Sequence, residues 1–211
     1  IMMKQNYDIK CLVTIKSKNK ESYMYHTPNV DIAELQAEAL GLPIIMQETS
    51  GEKEKELEDL EIALAKAKEK YGVEGLVVGA IFSTYQRDRV QGIAEKLGLK
   101  VFTPLWHKNQ EVLLNELLAN NFEFIISSIA SDGLDKTWLG KNIKEKEVLE
   151  LINLSKRFGI NPAGEGGEYE SLVLDCPIFK KKLKILEADK TMDTDYSGVY
   201  QINKVKLVDK A

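Results

Sequence analysis

A chain of 211 residues with 44% hydrophobic and 29% charged side chains buries enough apolar surface to offset chain entropy, which excludes intrinsic disorder and allows one domain or two. Its net charge of −4 argues against nucleic acid as a partner, because non-specific binding to phosphate backbones rests on many Lys and Arg contacts; a small nucleotide stays open as a ligand. No run approaches the roughly 20 apolar residues that cross a bilayer, and Cys11 and Cys176 have neither disulfide nor zinc spacing. No membrane association and a cytoplasmic setting are expected.

The stretch from Ile1 to Asp8 reads as the tail of a helix that begins elsewhere. Ile9 to Ile15 is apolar enough for a strand buried on both faces. Asp31 is placed to cap a helix over Ile32 to Leu40, with Gly41 as its left-handed stop, and Pro43 to Met46 is a short strand. Leu57, Leu60, Leu64, Ala67 and Tyr71 recur at spacings of three and four, which predicts an amphipathic helix from about Glu52 to Tyr71. A strand Gly75–Val78, a helix through Val90, Ile93 and Leu97 stopped by Gly98, and a strand Lys100–Phe102 follow. Next come a helix Glu111–Ala119, a strand Phe122–Ile126 and a helix Glu145–Phe158 ended by Gly159. Beyond the turn at Asn161-Pro162, apolar runs near 172–174, 183–186 and 199–208 read as strands of a second unit. Strict alternation of strand and helix implies right-handed crossovers and an open parallel sheet, with ligands at the carboxyl ends of its strands.

Four segments could carry chemistry. Gly164-Glu165-Gly166-Gly167-Glu168-Tyr169-Glu170 crowds three carboxylates among three glycines. Like charges about 4 Å apart repel by about 1 kcal/mol in water and about 4 kcal/mol at an effective dielectric of 20, so the segment suits a cation or ammonia, or else is a solvated acidic turn. If Glu168 and Glu170 both enter the following strand, they point to the same face. Gly79 to Arg89 leaves a buried strand and enters a helix: Gly79 permits close approach of a nucleotide, Ser83 caps the helix or donates to a phosphate, and Arg87 and Arg89 are bidentate donors or surface ion pairs. Ser22 to Asn29 contains His26, a catalytic group or an ordinary hydrogen-bonder. Trp106 and Trp138 are pocket walls or packing aromatics. Walker loop, dinucleotide fingerprint, nucleophile elbow and zinc spacing are all lacking in these residues, and no metal ligated by protein side chains is expected.

Taken together, the Glu-Ser-Tyr-Met-Tyr-His block at 21–26, Gly79 to Arg89, Thr103 to Trp106, Gly133 to Gly140 and Gly164 to Ser171 resemble the ATP-pyrophosphatase family that includes the diphthine–ammonia ligases. The resemblance runs from about Cys11 to at least Phe179. It implies an α/β fold with an open parallel sheet of the adenine-nucleotide alpha-hydrolase (HUP, Rossmann-like) type over residues 1–106, and a smaller C-terminal α+β substrate-binding domain over 107–211. It implies adenylation of the diphthine carboxylate on elongation factor 2 by ATP, with Mg2+ held through the phosphates, and displacement of AMP by ammonia to give diphthamide. Under it, His26, Gly79, Ser83, Tyr85, Gln86 and Arg89 would bind ATP. Glu165, Glu168 and Glu170 would serve catalysis by holding the trimethylammonium or ammonia, and Trp106, Trp138, Gly164, Gly166 and Gly167 would bind the substrate. A homodimer is an allowed assembly. Members open with a strand and a Ser-Gly-Gly-Lys-Asp-Ser loop, and that segment is expected upstream of Ile1. The rival readings are a nucleotide sensor without turnover and another ATP-pyrophosphatase such as a tRNA-modifying enzyme.

Overall fold

The computed structural model describes residues 1–19, 28–52 and 54–210, and the chain divides into two units, Ile1–His107 and Lys108–Ala211. Within the first unit, β1 (Leu12–Ser17), α1 (Ile32–Leu40) and β2 (Ile44–Thr49) form one parallel crossover, with Leu12 opposite Ile44 and Ser17 opposite Thr49. α2 (Lys55–Tyr71) leads to a second crossover of β3 (Gly75–Val77), α3 (Thr84–Lys96) and β4 (Lys100–Phe102). Parallel pairing requires such long connections. α2 packs on the strands through Leu60, Ala63, Leu64 and Ala67, in one core with Ile15, Val90, Ile93 and Leu99. Glu56 lies on the same buried stripe at 1% exposure, where the sequence pattern predicts solvent.

The one continuous parallel sheet expected from the alternation is seen as two separate parallel pairs. β1 and β3 both line one largely apolar cavity of about 620 Å3, together with Leu64 and Ala67. Gly41 is the expected left-handed stop, at φ 71°, and Gly98 is also left-handed at φ 64°; Gly72, at φ 63°, ends α2 in the same way. Asp31 does stand at the start of α1, but its carboxylate takes the Lys16 ammonium at 2.5 Å and makes no capping bond.

The second unit departs further from the sequence reading. α4 (Gln110–Ala119) precedes β5 (Glu123–Ala130), which is antiparallel to its neighbours and extends no parallel array. α5 (Glu145–Phe158) packs on a four-stranded sheet ordered β6-β5-β8-β7, with β6 at Tyr169–Asp175, β7 at Lys181–Met192 and β8 at Ser197–Asp209. β7 and β8 form a long hairpin with Met192 opposite Gly198. The core gathers Phe124, Ile126 and Ile129 of β5, Leu134, Trp138 and Leu139 of the loop after it, and Val148 and Leu151 of α5. No helix among the described residues is long and apolar enough to cross a membrane.

Candidate functional site

In the first unit the candidate residues collect where β3 and β4 end. Gly79 follows β3, and a side chain added there would meet nothing within 4 Å, so the backbone is open to close approach. Ser83 caps α3: its hydroxyl accepts from the Gln86 N–H at 3.3 Å, the first of the two roles open to it. Arg87 and Arg89 leave α3 two residues apart and find different partners. Arg87 pairs with Asp88 at 2.7 Å and lies 4.3 Å over the Trp106 ring. Arg89 pairs with Glu54 at 2.7 Å and lies 3.5 Å over Tyr85. The aromatic ring beneath each guanidinium helps to hold it, while its exposed ion pair adds little stability.

His107, on which the sequence reading put no weight, belongs to the same cluster. It adopts φ 58°, uncommon for a residue with a side chain. Its N–H donates to the Ile81 carbonyl at 2.9 Å, and its ring stands edge-on between Phe82 (5.3 Å) and Trp106 (5.0 Å). Trp106 is held by a turn in which its N–H donates to Thr103. The only available signal was a histidine directly after a tryptophan at a strand-end turn. His26, with the rest of the 20–27 segment, lies outside the described residues.

In the second unit the acidic segment is a built loop. Glu168 precedes β6, and its carboxylate turns back instead of standing on the strand face beside Glu170: Oε1 accepts from the Asn161 N–H at 2.7 Å and from Asn161 Nδ2 at 2.8 Å, and Oε2 accepts from the Gly166 N–H at 2.8 Å. Two like charges side by side are thereby avoided, and one of them gains charge-assisted donors. Glu170 enters β6 opposite Ser128, and its carbonyl accepts from the Ser127 hydroxyl at 3.3 Å. Gly164 (φ 74°) and Gly167 (φ 85°) take backbone angles that favour glycine. Gly166 is small for another reason, since a Cβ there would lie 2.7 Å from both Asn161 Nδ2 and Glu168 Oε1.

Trp138 is 5% exposed and packs in the core, with the Lys141 ammonium 4.4 Å over its ring. Gly133 and Gly140, which flank its segment, admit the rings of Phe158 and Tyr200. Asp135 accepts from the Thr137 hydroxyl at 2.5 Å and from its N–H at 2.8 Å, and these bonds, the hydroxyl first, hold its carboxyl below the usual range. This stretch of the expected substrate wall is therefore packed and self-bonded. The described residues hold no group of three His, Cys, Asp or Glu that could hold a metal ion.

Tyr169 is the buried anchor of the loop: its hydroxyl donates to the Pro162 carbonyl at 2.6 Å. Burial, and secondarily the Glu168 charge, push its pKa well above the ordinary tyrosine range. The folded state thus resists ionisation, so this contribution is intact below the unfolded pKa of about 10 and is lost as pH rises from there toward the folded value. Denaturant midpoints measured from neutral pH upward should fall above about pH 10, and Tyr169→Phe should fall less steeply over that range. Equal slopes would mean that Tyr169 contributes nothing to the alkaline loss.

Residues 1–101 match the family model described as the diphthamide synthase N-terminal domain, and residues 109–208 match the diphthamide synthase C-terminal domain. Rat diphthine–ammonia ligase is 42% identical over 183 residues, covering 81% of this chain and 68% of the relative. The human protein of that name is 41% identical over 181 residues, 80% and 67% of the two chains. Among solved structures, a predicted subunit of tRNA methyltransferase from Methanocaldococcus jannaschii covers 83% of this chain and 88% of its own, at 18% identity and a TM-score of 0.38, too slight to bear on the fold.

Proposed function

Because the chain belongs to the diphthine–ammonia ligase family, we propose that it converts diphthine on elongation factor 2 to diphthamide, in a cytoplasmic setting, at the expense of ATP. The observation that carries this reading is that family similarity runs through both units, taking in Gly79 to Arg89 of the one and the acidic loop of the other. A carboxylate is a poor acyl donor. Its oxygen attacks the α-phosphorus of ATP, pyrophosphate leaves, and the acyl carbon now bears AMP, a good leaving group. Ammonia then attacks that carbon, loses a proton, and expels AMP.

On this reading the nucleotide belongs to the first unit, whose two parallel pairs are the flanks of one open sheet of the adenine-nucleotide alpha-hydrolase type. Gly79 gives the backbone access it needs, α3 turns its capped N-terminus toward phosphate, and the stacked Arg89 supplies positive charge beside Tyr85 and Gln86. His26 is assigned to the adenylate. The modified histidine belongs to the second unit, where Glu165, Glu168 and Glu170 present negative charge to the trimethylammonium and to ammonia, and Gly164, Gly166 and Gly167 let the backbone come close. Trp138, being buried, bears on the substrate only through the segment it supports, and Trp106 stays with the Arg87 of its own unit. Magnesium would ride on the phosphates of ATP and shield their charge.

Purified protein incubated with ATP, ammonium and diphthine-bearing elongation factor 2 should release AMP and pyrophosphate in equal amounts and leave the substrate carrying an amide by mass spectrometry. Binding of ATP without either product would replace this reading with a nucleotide sensor. Turnover with tRNA and not with elongation factor would replace it with a tRNA-modifying enzyme.

A further inference from the structure

The acidic loop is braced by side chains that its own motif does not include. Gln110 is the first residue of α4, fixed there by Asn109, whose side-chain oxygen accepts from the Val112 N–H at 3.0 Å. The Gln110 amide works in both directions: Nε2 donates to Asn161 Oδ1 at 3.0 Å, and Oε1 accepts from the Ala163 N–H at 3.0 Å. Asn161 passes the connection on through its two bonds to Glu168 Oε1, and Glu168 Oε2 closes the chain on Gly166. We propose that Gln110 and Asn161 are positioning residues for the loop from Ala163 to Glu168, acting through Glu168; the proposal rests on the ligase reading above.

The chemistry of position 110 is narrow. The side chain must donate to one partner and accept from another across a fixed gap, which a primary amide does and a carboxylate or an alkyl group does not. Position 161 has the same demand, since it accepts from Gln110 while donating to Glu168. Gly166 belongs to the brace as well, because the space a Cβ would need there is filled by Asn161 and Glu168. A carboxylate held by three donors has one rotamer, so the loop is ordered before substrate arrives and binding need not supply that order. Removing the brace should therefore weaken capture of the protein substrate and leave the nucleotide unaffected.

The test measures steady-state kinetics on diphthine-bearing elongation factor 2 with Gln110→Ala and Asn161→Ala, with Asn115→Ala as the control. Asn115 lies on the same helix, exposed, and donates within it, to the Glu111 carbonyl. Gln110→Ala and Asn161→Ala should each raise the KM for the protein substrate about 10- to 30-fold while the KM for ATP stays within about threefold. Gln110→Glu, which keeps the bond from Ala163 and loses the donation to Asn161, should fall between Gln110→Ala and wild type. Amide hydrogen exchange at Ala163 and Gly166 should quicken in both alanine variants and not in Asn115→Ala. The exchange needs no turnover, so it decides the proposal even if wild type proves not to be a ligase. Unchanged exchange at these two amides, or a KM for ATP that rises in step with that for the protein, overturns it.

Discussion

Gly164→Ala is expected to lower kcat/KM by up to about 100-fold and by clearly more than Gly167→Ala, which should stay within about tenfold of wild type. Both glycines are left-handed, at φ 74° and 85°, so an alanine at either costs about 1–2 kcal/mol of backbone strain. What separates them is space. At Gly167 the added carbon meets nothing within 4 Å, but at Gly164 it would stand 2.7 Å from the Tyr169 carbonyl oxygen and 3.2 Å from two atoms of the Tyr169 ring. Tyr169 is buried and paired with Ile129 in the sheet, so it does not retreat and the loop must. An ordinary contact begins near 3.4 Å, which asks for a displacement of several tenths of an ångström in the segment that carries Glu165 and the Glu168 brace. Misplacement by about 1 Å can cost roughly 100-fold in rate. Steady-state kinetics on the two variants, with thermal midpoints showing both folded, make the comparison. Equal activities would mean that backbone strain alone matters and that the loop tolerates being moved.

The sequence was most legible where a local rule has no competitor. The helices expected over Ile32–Leu40 and Glu145–Phe158 occupy those residues, and each ends in a left-handed glycine, Gly41 and Gly159, because little else takes that angle without strain. Pairing was less legible. The residues of β5 are buried from Phe124 to Ser127, and an unbroken apolar run looks the same in a parallel sheet as in the middle of this antiparallel one. The apolar pattern marks only part of β7 because Glu187, Asp189 and Lys190 are exposed, and their strand conformation comes from the hairpin with β8. The site divides in the same way. Composition alone drew attention to Gly164–Glu170, but nothing local connects Gln110 to Asn161, which lie 51 residues apart, or makes Glu168 turn inward and not along its strand. His107 was missed because its left-handed backbone and its two aromatic neighbours are properties of the folded turn.

Ile126→Ala should destabilise the second unit by about 3–4 kcal/mol, among the larger effects available to a single substitution. Ile126 is 0% exposed in the middle of β5 and packs in the cluster with Leu139, Val148, Leu151 and Trp138. It is fixed from several directions. Its carbonyl accepts from the Gly140 N–H at 2.8 Å, its N–H donates to Lys141 at 3.3 Å, and across the sheet it faces Ser171 of β6. Backbone bonded on both sides cannot collapse into the space left by the lost methyl and methylene groups, so the transfer term and the cavity term both apply. A domain of about 100 residues holds roughly 5–15 kcal/mol in total, and the loss should lower its thermal midpoint by more than about 10 °C. Leu149, on α5 but 62% exposed, is the matched contrast, and Leu149→Ala should change stability by no more than about 0.5 kcal/mol. Scanning calorimetry of both variants with the whole chain gives the comparison. A loss below about 1 kcal/mol at Ile126 would mean that the space is refilled and that β5 is not the rigid centre of the unit. A large loss would also carry a functional consequence, because β5 is the strand on which β6 lies, and β6 begins at the tyrosine that anchors the acidic loop. The loop should then lose its order at the temperature where the sheet melts, and substrate capture should fail at that temperature too.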